Sequence, residues 1–404
     1  MRELLRRRDV RLLLVGQTLS MFGDWAMFFV LAIWAKVLTG SNAAAGLVFF
    51  VLALAGLAAP LGGLVVDRLP KRRLMIVTHL AMAAMVCSLL FVNDRSDLWL
   101  IYVVAALYGL GGDLFAAARS AMLKAMLPDE LLAEANGILQ SLREGLRLVA
   151  PLAGAGIFAA FGGAAVALVD AGSFALSAVT LVLLRFVEPA VAAREPFLRE
   201  VSAGVLHIVR TRVLRELTIG VCAVMLVAGF SETIIFALTA DGLHRPPSFI
   251  GVIASFQGVG AIAGGLTAPM LMRRLGDVRL AGLGVVLFGI GDGLWLFPRL
   301  PVVIPATVIA GAGIAWAVVA LATSYQRRSP TEVQGRVNAA ANMLFSVPQT
   351  ISIAIGAALI TVIDYRLLIV AMAAVFTLAA AYLLTRGEEE TLAVTPAASP
   401  EAAG

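Results

Sequence analysis

The stretch Gly62-Gly63-Leu64-Val65-Val66-Asp67-Arg68-Leu69-Pro70-Lys71-Arg72-Arg73 sets the architecture. An apolar run ends in two glycines. One acid and a burst of cations follow, and a new apolar run starts at Leu74. Between two such runs, a short charged segment reads as a tight loop held at a membrane surface.

The rest of the chain repeats that alternation. Of 404 residues, 60% are hydrophobic and only 14% charged, against roughly 25% charged in a soluble domain. Counting stretches of about 17–25 apolar residues gives twelve spans: 12–37, 43–66, 74–92, 98–118, 135–160, 163–185, 214–240, 248–271, 279–297, 300–324, 335–361 and 365–385. Barrel strands would be shorter and would alternate polar with apolar residues. The expected class is an all-α polytopic membrane protein. The apolar run from Leu12 to Leu38 is too long for a signal segment and lacks a clear cleavage pattern.

Charge distribution orients the spans. With the N-terminus inside, 24 of the 31 Lys and Arg fall in inner segments. Arg95, Arg245, Arg299 and Arg366 fall outside, and Lys36, Arg143 and Arg147 lie within spans. This positive-inside bias places both termini in the cytoplasm. It also accounts for the net charge of +5 without a nucleic-acid partner; the lipid bilayer is the expected partner surface. Trp34, Trp99 and Trp295 then fall near the outer surface, where an aromatic belt would sit.

Sliding the chain on itself by 202 positions reveals a duplication. Gly62-Gly63 falls on Gly264-Gly265, and Lys71-Arg72 on Arg273-Arg274. Gly109 and Gly111 fall on Gly311 and Gly313; Pro128, Glu130, Asn136 and Gly154 fall on Pro330, Glu332, Asn338 and Gly356. Six is even, so both halves share one orientation. Two six-helix bundles related by a pseudo-two-fold axis along the membrane normal follow, with a site between them. The expected units are a bundle over 1–186, a linker loop over 187–213 with an amphipathic helix near Phe197–Val209, a second bundle over 214–386, and a disordered cytoplasmic tail over 387–404.

The segment Gly63-x-x-x-Asp67-Arg68-x-x-Lys71-Arg72 resembles the signature loop of the Major Facilitator Superfamily. The six-plus-six plan and the second, degenerate copy from Gly265 to Arg274 resemble it too. Three further stretches are similar to its bacterial exporter branch related to siderophore and macrolide efflux proteins: Gly16-Gln17-Thr18-Leu19-Ser20-Met21-Phe22-Gly23-Asp24-Trp25, Leu38-Thr39-Gly40-Ser41, and Ala171-Gly172-Ser173-Phe174. The resemblance implies a secondary transporter of the bacterial inner membrane. The expected activity is proton-coupled efflux of amphipathic small molecules by a monomer with no cofactor, protons being the coupling ion. Uptake or facilitated diffusion of a metabolite or lipid, or a non-transporting membrane sensor, are the alternatives.

The resemblance also implies a gate loop of Gly63, Asp67, Arg68, Lys71 and Arg72, in which Asp67 latches the inner side. It implies that spans one, four, seven and ten line the cavity. The chain departs from the family at Pro70, where a glycine is usual. It departs again in span five, where Ala150-Pro151-Leu152-Ala153-Gly154 keeps only part of the antiporter pattern. In span four there is no arginine before Arg119.

Charges inside spans carry the remaining chemistry, because each costs at least about 2.5–3.5 kcal/mol at mid-bilayer on insertion scales. Asp24 lies twelve residues into span one, about 18 Å deep, and is the leading candidate for a protonatable or cation-binding group. Glu232 in span seven faces an outer vestibule or external water. Asp113 lies towards the inner side of span four, at the depth of Arg143, Glu144 and Arg147 in span five. Arg143 and Arg147 are one turn apart and Glu144 is three residues from Arg147, so a local charge network is geometrically allowed, in which an Asp113 pair with Arg147 or Arg143 would neutralise both. That group either closes the inner side or meets substrate. Asp170 and Asp292 read as structural. Trp25, Phe28, Tyr108 and Trp316 are candidates for an aromatic cavity wall, or pack as ordinary core.

Metal, nucleotide and enzymatic chemistry have no footing. His79, His207 and His244 are scattered. Cys87 and Cys222 lie inside apolar runs as free thiols. No Gly-x-x-x-x-Gly-Lys-Ser/Thr occurs, which argues against direct ATP use. No nucleophile–base pair appears.

Overall fold

The computed structural model describes residues 6–57, 69–185 and 197–394. Twelve helices form two six-helix bundles. They are span one (Arg8–Thr39), two (Asn42–Gly56), three (Lys71–Cys87), four (Leu98–Met126), five (Asp129–Phe161) and six (Gly163–Val182). The second set is seven (Arg212–Ala228, resuming as Ser231–Ala237), eight (Ile250–Leu275), nine (Asp277–Gly293), ten (Leu300–Arg328), eleven (Thr331–Leu359) and twelve (Tyr365–Val394). Ten of the spans are long and apolar enough to cross a bilayer, and two more apolar helices, Asn42–Gly56 and Gly145–Phe161, are shorter. A linker helix, Phe197–Arg210, precedes span seven. Span twelve continues past Arg386 to Val394, into the stretch expected to be disordered.

Helices four and five overrun the apolar stretches read from sequence. Span four runs to Met126 and span five starts at Asp129. Arg119 and Lys124 are therefore helical rather than loop residues. Continuing the helix keeps backbone groups bonded where the chain leaves the hydrocarbon.

The repeat has a physical meaning. A Cβ on Gly109 would fall 2.7 Å from Cβ of Ala55 on span two. Its counterpart Gly311 lies against the backbone of Gln257 on span eight. Gly154 meets the Ala26 carbonyl on span one, and Gly356 meets Phe230 beside span seven, where a Cβ would lie 3.1 Å from Cα. The same helix pairs close at the same depth in both bundles. Small residues permit this approach, which packing in lipid depends on.

The face carrying both chain ends, here the terminal face, is tied by arginines. Arg72 donates through Nε to the Leu181 carbonyl at 2.9 Å and through Nη2 to that of Val182 at 2.6 Å. It thereby caps the end of span six, where carbonyls lack helical partners and a cation is favoured. In the second bundle, buried Asp277 binds Arg327 at 3.3 Å and Arg328 at 2.7 Å, and Ser324 donates to it at 3.0 Å. The linker helix docks on the second bundle: Gly204 lies against the Arg336 carbonyl of span eleven.

The bundles meet at the opposite, far face. Gly46 of span two abuts Thr233 and Ala357. A Cβ on Gly251 of span eight would fall 2.6 Å from that of Ala155 in span five. Phe49 and Phe236 pack at 6.1 Å between ring centroids, and Asn42 reaches Asp241 at 3.5 Å. The expected aromatic belt needs correction here. Trp99 is 61% exposed, but Trp34 and Trp295 are buried. Trp34 turns inward onto Gly163 and Phe158, where its ring fills the space a glycine leaves.

Candidate functional site

Between the bundles lies a cavity of about 790 Å³, within the range of small-molecule sites. Span one contributes Trp25, Phe28 and Phe29; the second bundle contributes aliphatic and glycine positions of spans eight and ten. Its polar groups are few: Arg147, Ser231, Glu232, Gln257, Trp295 and Thr307. A side chamber of about 230 Å³ shares Arg147, Ser231, Glu232 and Gln257 and reaches Gln349. Towards the terminal face, the lining residues Leu266 and Val318 are exposed.

Span seven is interrupted where it meets this cavity. The helix stops at Ala228 and resumes at Ser231, with Gly229 pressed against the backbone of Gln349 and Ile353. Interrupted helices are tolerated at membrane depth where they line a cavity. Ser231 Oγ donates to Asp292 Oδ2 at 2.8 Å. Glu232 lies within electrostatic reach of Arg147 and of Asp292. The Arg147 guanidinium also sits 5.7 Å from the ring centroid of Trp25, a cation–π distance. One side chain from each bundle thus meets across the cavity.

Behind span one, inside the first bundle, is a second polar centre. The Tyr108 hydroxyl contacts Oδ1 of Asp24 at 2.8 Å and Oδ2 of Asp170 at 3.0 Å. Asp170 is fully buried, and Ser173 adds a bond to its carbonyl at 2.7 Å. A phenol carries one hydrogen and carboxylates carry none. Both contacts are hydrogen bonds only when one carboxyl supplies a second hydrogen. Gly23 makes the arrangement possible: a Cβ there would run into Asp170 and Ser173. Arg119 lies within electrostatic reach of Asp24 and of His79. His79 stacks on Phe115 at 3.7 Å, and its Nδ1 is buried without a partner among the described residues.

Several sequence expectations are redistributed. Trp25 and Phe28 line the cavity, but Tyr108 and Trp316 do not. Tyr108 turns inward to the two aspartates, and Trp316 donates to Thr267 Oγ1 at 2.9 Å within the second bundle. Asp113 forms no ion pair with Arg143 or Arg147 among the described residues. It faces span two, 3.6 Å from the Cβ position of Gly56, whereas Arg147 faces Trp25. Arg143 is exposed. Gly63, Asp67 and Arg68 and the Glu144 side chain lie outside the described residues. Lys71 donates to the Leu69 carbonyl at 3.1 Å. Asp170, Asp292, Ser231 and Gln257 joined the site only in three dimensions. Among the described residues, no group of three His, Cys, Asp or Glu gathers that would hold a metal.

Comparison with known proteins agrees with this geometry. The chain is 28% identical over 298 residues to the uncharacterized MFS-type transporter YfiS of Bacillus subtilis, covering 71% of this chain and 70% of that one. It is 21% identical to macrolide efflux protein A of Enterococcus faecalis, over 73% of this chain and 94% of that one. Among solved structures, a bacterial homologue of the iron transporter ferroportin in an inward-facing state superposes with a TM-score of 0.75 at 17% identity, covering 95% and 99% of the two chains. These relatives are membrane transporters, not enzymes. The sequence profile of the Major Facilitator Superfamily matches residues 13–239 and 217–403, so the chain belongs to that family of multi-pass membrane transporters.

Proposed function

We propose that this transporter exports amphipathic small molecules in exchange for protons. The observation that carries the reading is the Asp24–Tyr108–Asp170 bridge directly behind an aromatic cavity wall. Asp24 and Trp25 are consecutive on span one, so one helix carries both the proton-holding acid and the substrate wall. With a proton shared through Tyr108, spans one and six close on Gly23. With that proton gone, two like charges roughly 5 Å apart repel by about 3 kcal/mol at an effective dielectric of about 20. An energy of that size shifts a two-state equilibrium by about two orders of magnitude. Movement of span one then carries Trp25 and Phe28 relative to the second bundle, the rocking that alternating access requires.

The bias of Lys and Arg supports the bacterial inner membrane with the terminal face in the cytoplasm. In that orientation the far-face contacts through Gly46 and Gly251 close the outside and the cavity loads from within. The macrolide efflux relatives support the outward direction. Reconstituted protein tests the reading: an imposed proton gradient should drive a fluorescent amphiphile against its own gradient, and Asp24→Asn should abolish that accumulation. Flux that ignores the gradient would refute proton coupling.

A further inference from the structure

The contact between spans one and six carries a line of polar side chains from the aspartate pair to the terminal face. On span six, Asp170, Ser173, Ser177 and Thr180 recur at intervals of three and four residues, which sets them on one helix face. That face is turned to span one. A Cβ on Gly23 would meet Asp170 and Ser173, and one on Gly16 would meet Thr180 and, at 3.2 Å, the Ser177 hydroxyl. Span one adds buried Ser20, about one turn before Asp24, and Gln17, two turns before it on the same side of the helix. From Asp170 to the end of span six at Val182 the line covers about 18 Å. It ends where Arg72 holds the Leu181 and Val182 carbonyls.

Packing does not require these groups, and the duplication supplies the comparison. Under the 202-residue shift, Gln17 and Ser20 fall on Ile219 and Cys222, and Asp170, Ser173 and Ser177 fall on Met372, Val375 and Ala379. Thr180 falls on another hydroxyl, Tyr382. Spans seven and twelve still pack closely, with Gly220 against Leu383. The line is also unsaturated. Gln17 is 3% exposed, yet its Oε1 has no partner among the described residues. Counted from the helix ends, Gln17 and Ser173 both lie about 13 Å from the terminal face. His79, whose Nδ1 is the other unpartnered group here, lies at about the same depth on span three, and its ring packs against Phe174. Ser173 and Thr180 each donate at 2.7 Å to a carbonyl of their own helix, which leaves lone pairs on their oxygens to accept.

Among the described residues, neither Asp24 nor Asp170 lines either chamber of the cavity. We propose that the coupling proton passes between this pair and the terminal face along the seam of Gln17, Ser20, Ser173, Ser177 and Thr180, apart from the substrate's route through the cavity. Residues one turn apart on a helix are about 5–6 Å from each other between Cβ atoms, a gap that one water bridges. Buried polar groups are nearly always paired with protein or water, and Gln17 Oε1 holds such a water in line. Each hydroxyl takes a proton on one side and releases its own on the other. One proton therefore leaves the pair for each one delivered, and no group on the way keeps a charge. Arg119 on span four and His79 on span three are the cationic and titratable groups that approach from other helices, with Arg72 at the terminal end. The proposal rests on proton coupling, and the test separates the two.

Full-length protein in proteoliposomes, with a fluorescent amphiphile outside and a pH dye within, provides that test. Gln17→Ile and Ser177→Ala install the residues that the second half uses at the same contact. Each should lower gradient-driven accumulation and the accompanying proton flux by roughly tenfold or more, a modest share of what a positioned proton-transfer group is worth. Amphiphile binding, and exchange of amphiphile for amphiphile without a gradient, should stay at wild-type levels. Ser177→Thr keeps the hydroxyl and should keep the coupling. Coupled flux at wild-type levels in Gln17→Ile and Ser177→Ala would overturn the seam and leave proton coupling standing. Loss of binding and exchange along with coupling would assign these residues to packing and overturn it too. A wild type that moves the amphiphile without protons would refute the coupling reading, and the seam with it.

Discussion

Asp24 and Asp170, on spans one and six, bind the same phenol oxygen of Tyr108, at 2.8 and 3.0 Å. One hydrogen cannot serve both contacts, and under the proposed function the further proton held here is the coupling proton. Tyr108→Phe removes the bridge while keeping the ring that packs on Phe174 at 5.9 Å. It should lower gradient-driven transport by roughly tenfold or more, the worth of a hydrogen bond to a charged group. Binding of an amphiphile in the cavity should be nearly unchanged, because Tyr108 does not line it. Asp170→Asn should give the same split between flux and binding. Equal loss of both would instead assign Tyr108 and Asp170 to packing.

Closure of the far face rests on missing side chains. A leucine at Gly46 would enter the space of Thr233 and Ala357, and overpacking of this kind costs about 1–3 kcal/mol. Gly46→Leu should therefore favour the state open at the far face. Labelling of a Phe49→Cys reporter by a membrane-impermeant thiol reagent from that side should accelerate by roughly tenfold. Unchanged labelling would show that the contact is not part of the closure.

Arg72 should be worth more to stability than a surface cation. Its bonds to the Leu181 and Val182 carbonyls end span six. Arg72→Met should destabilise the protein by about 1–3 kcal/mol, read as a fall in the thermal midpoint in detergent. An unaltered midpoint would remove the cap from the account.

The acid of the opening loop has no counterpart in the second half, since Asp67 falls on Pro269 under the 202-residue shift. Asp67→Asn should leave expression and topology intact and cut transport, as expected of a latch rather than a topogenic charge. Normal transport, or misinsertion, would contradict that role. Flux assays paired with reporter fusions at both termini decide between them.

The spans and the duplication were legible because each is written in local composition and in a fixed spacing. Apolar run length fixes a span, and Gly109 with Gly311 marks the same helix contact twice. The side-chain partners were not legible. Tyr108 reads as a cavity aromatic until span six brings Asp170 across 62 residues of sequence. Trp316 reads likewise until Thr267 offers its hydroxyl. Asp113 and Arg147 share a depth, yet the rotation of spans four and five points them to different neighbours. Depth follows from counting residues along one helix, whereas facing depends on how several helices turn against each other. Asp170 and Asp292 left one usable signal, that an acid at membrane depth needs a stated partner.

The most direct measurement compares wild-type protein with Asp24→Asn in proteoliposomes under an imposed proton gradient, recording amphiphile and proton fluxes together. Wild-type protein should show coupled, opposite fluxes, and Asp24→Asn should lose both while still binding the amphiphile. Amphiphile accumulation that persists in Asp24→Asn, or proceeds with no accompanying proton flux, would contradict it.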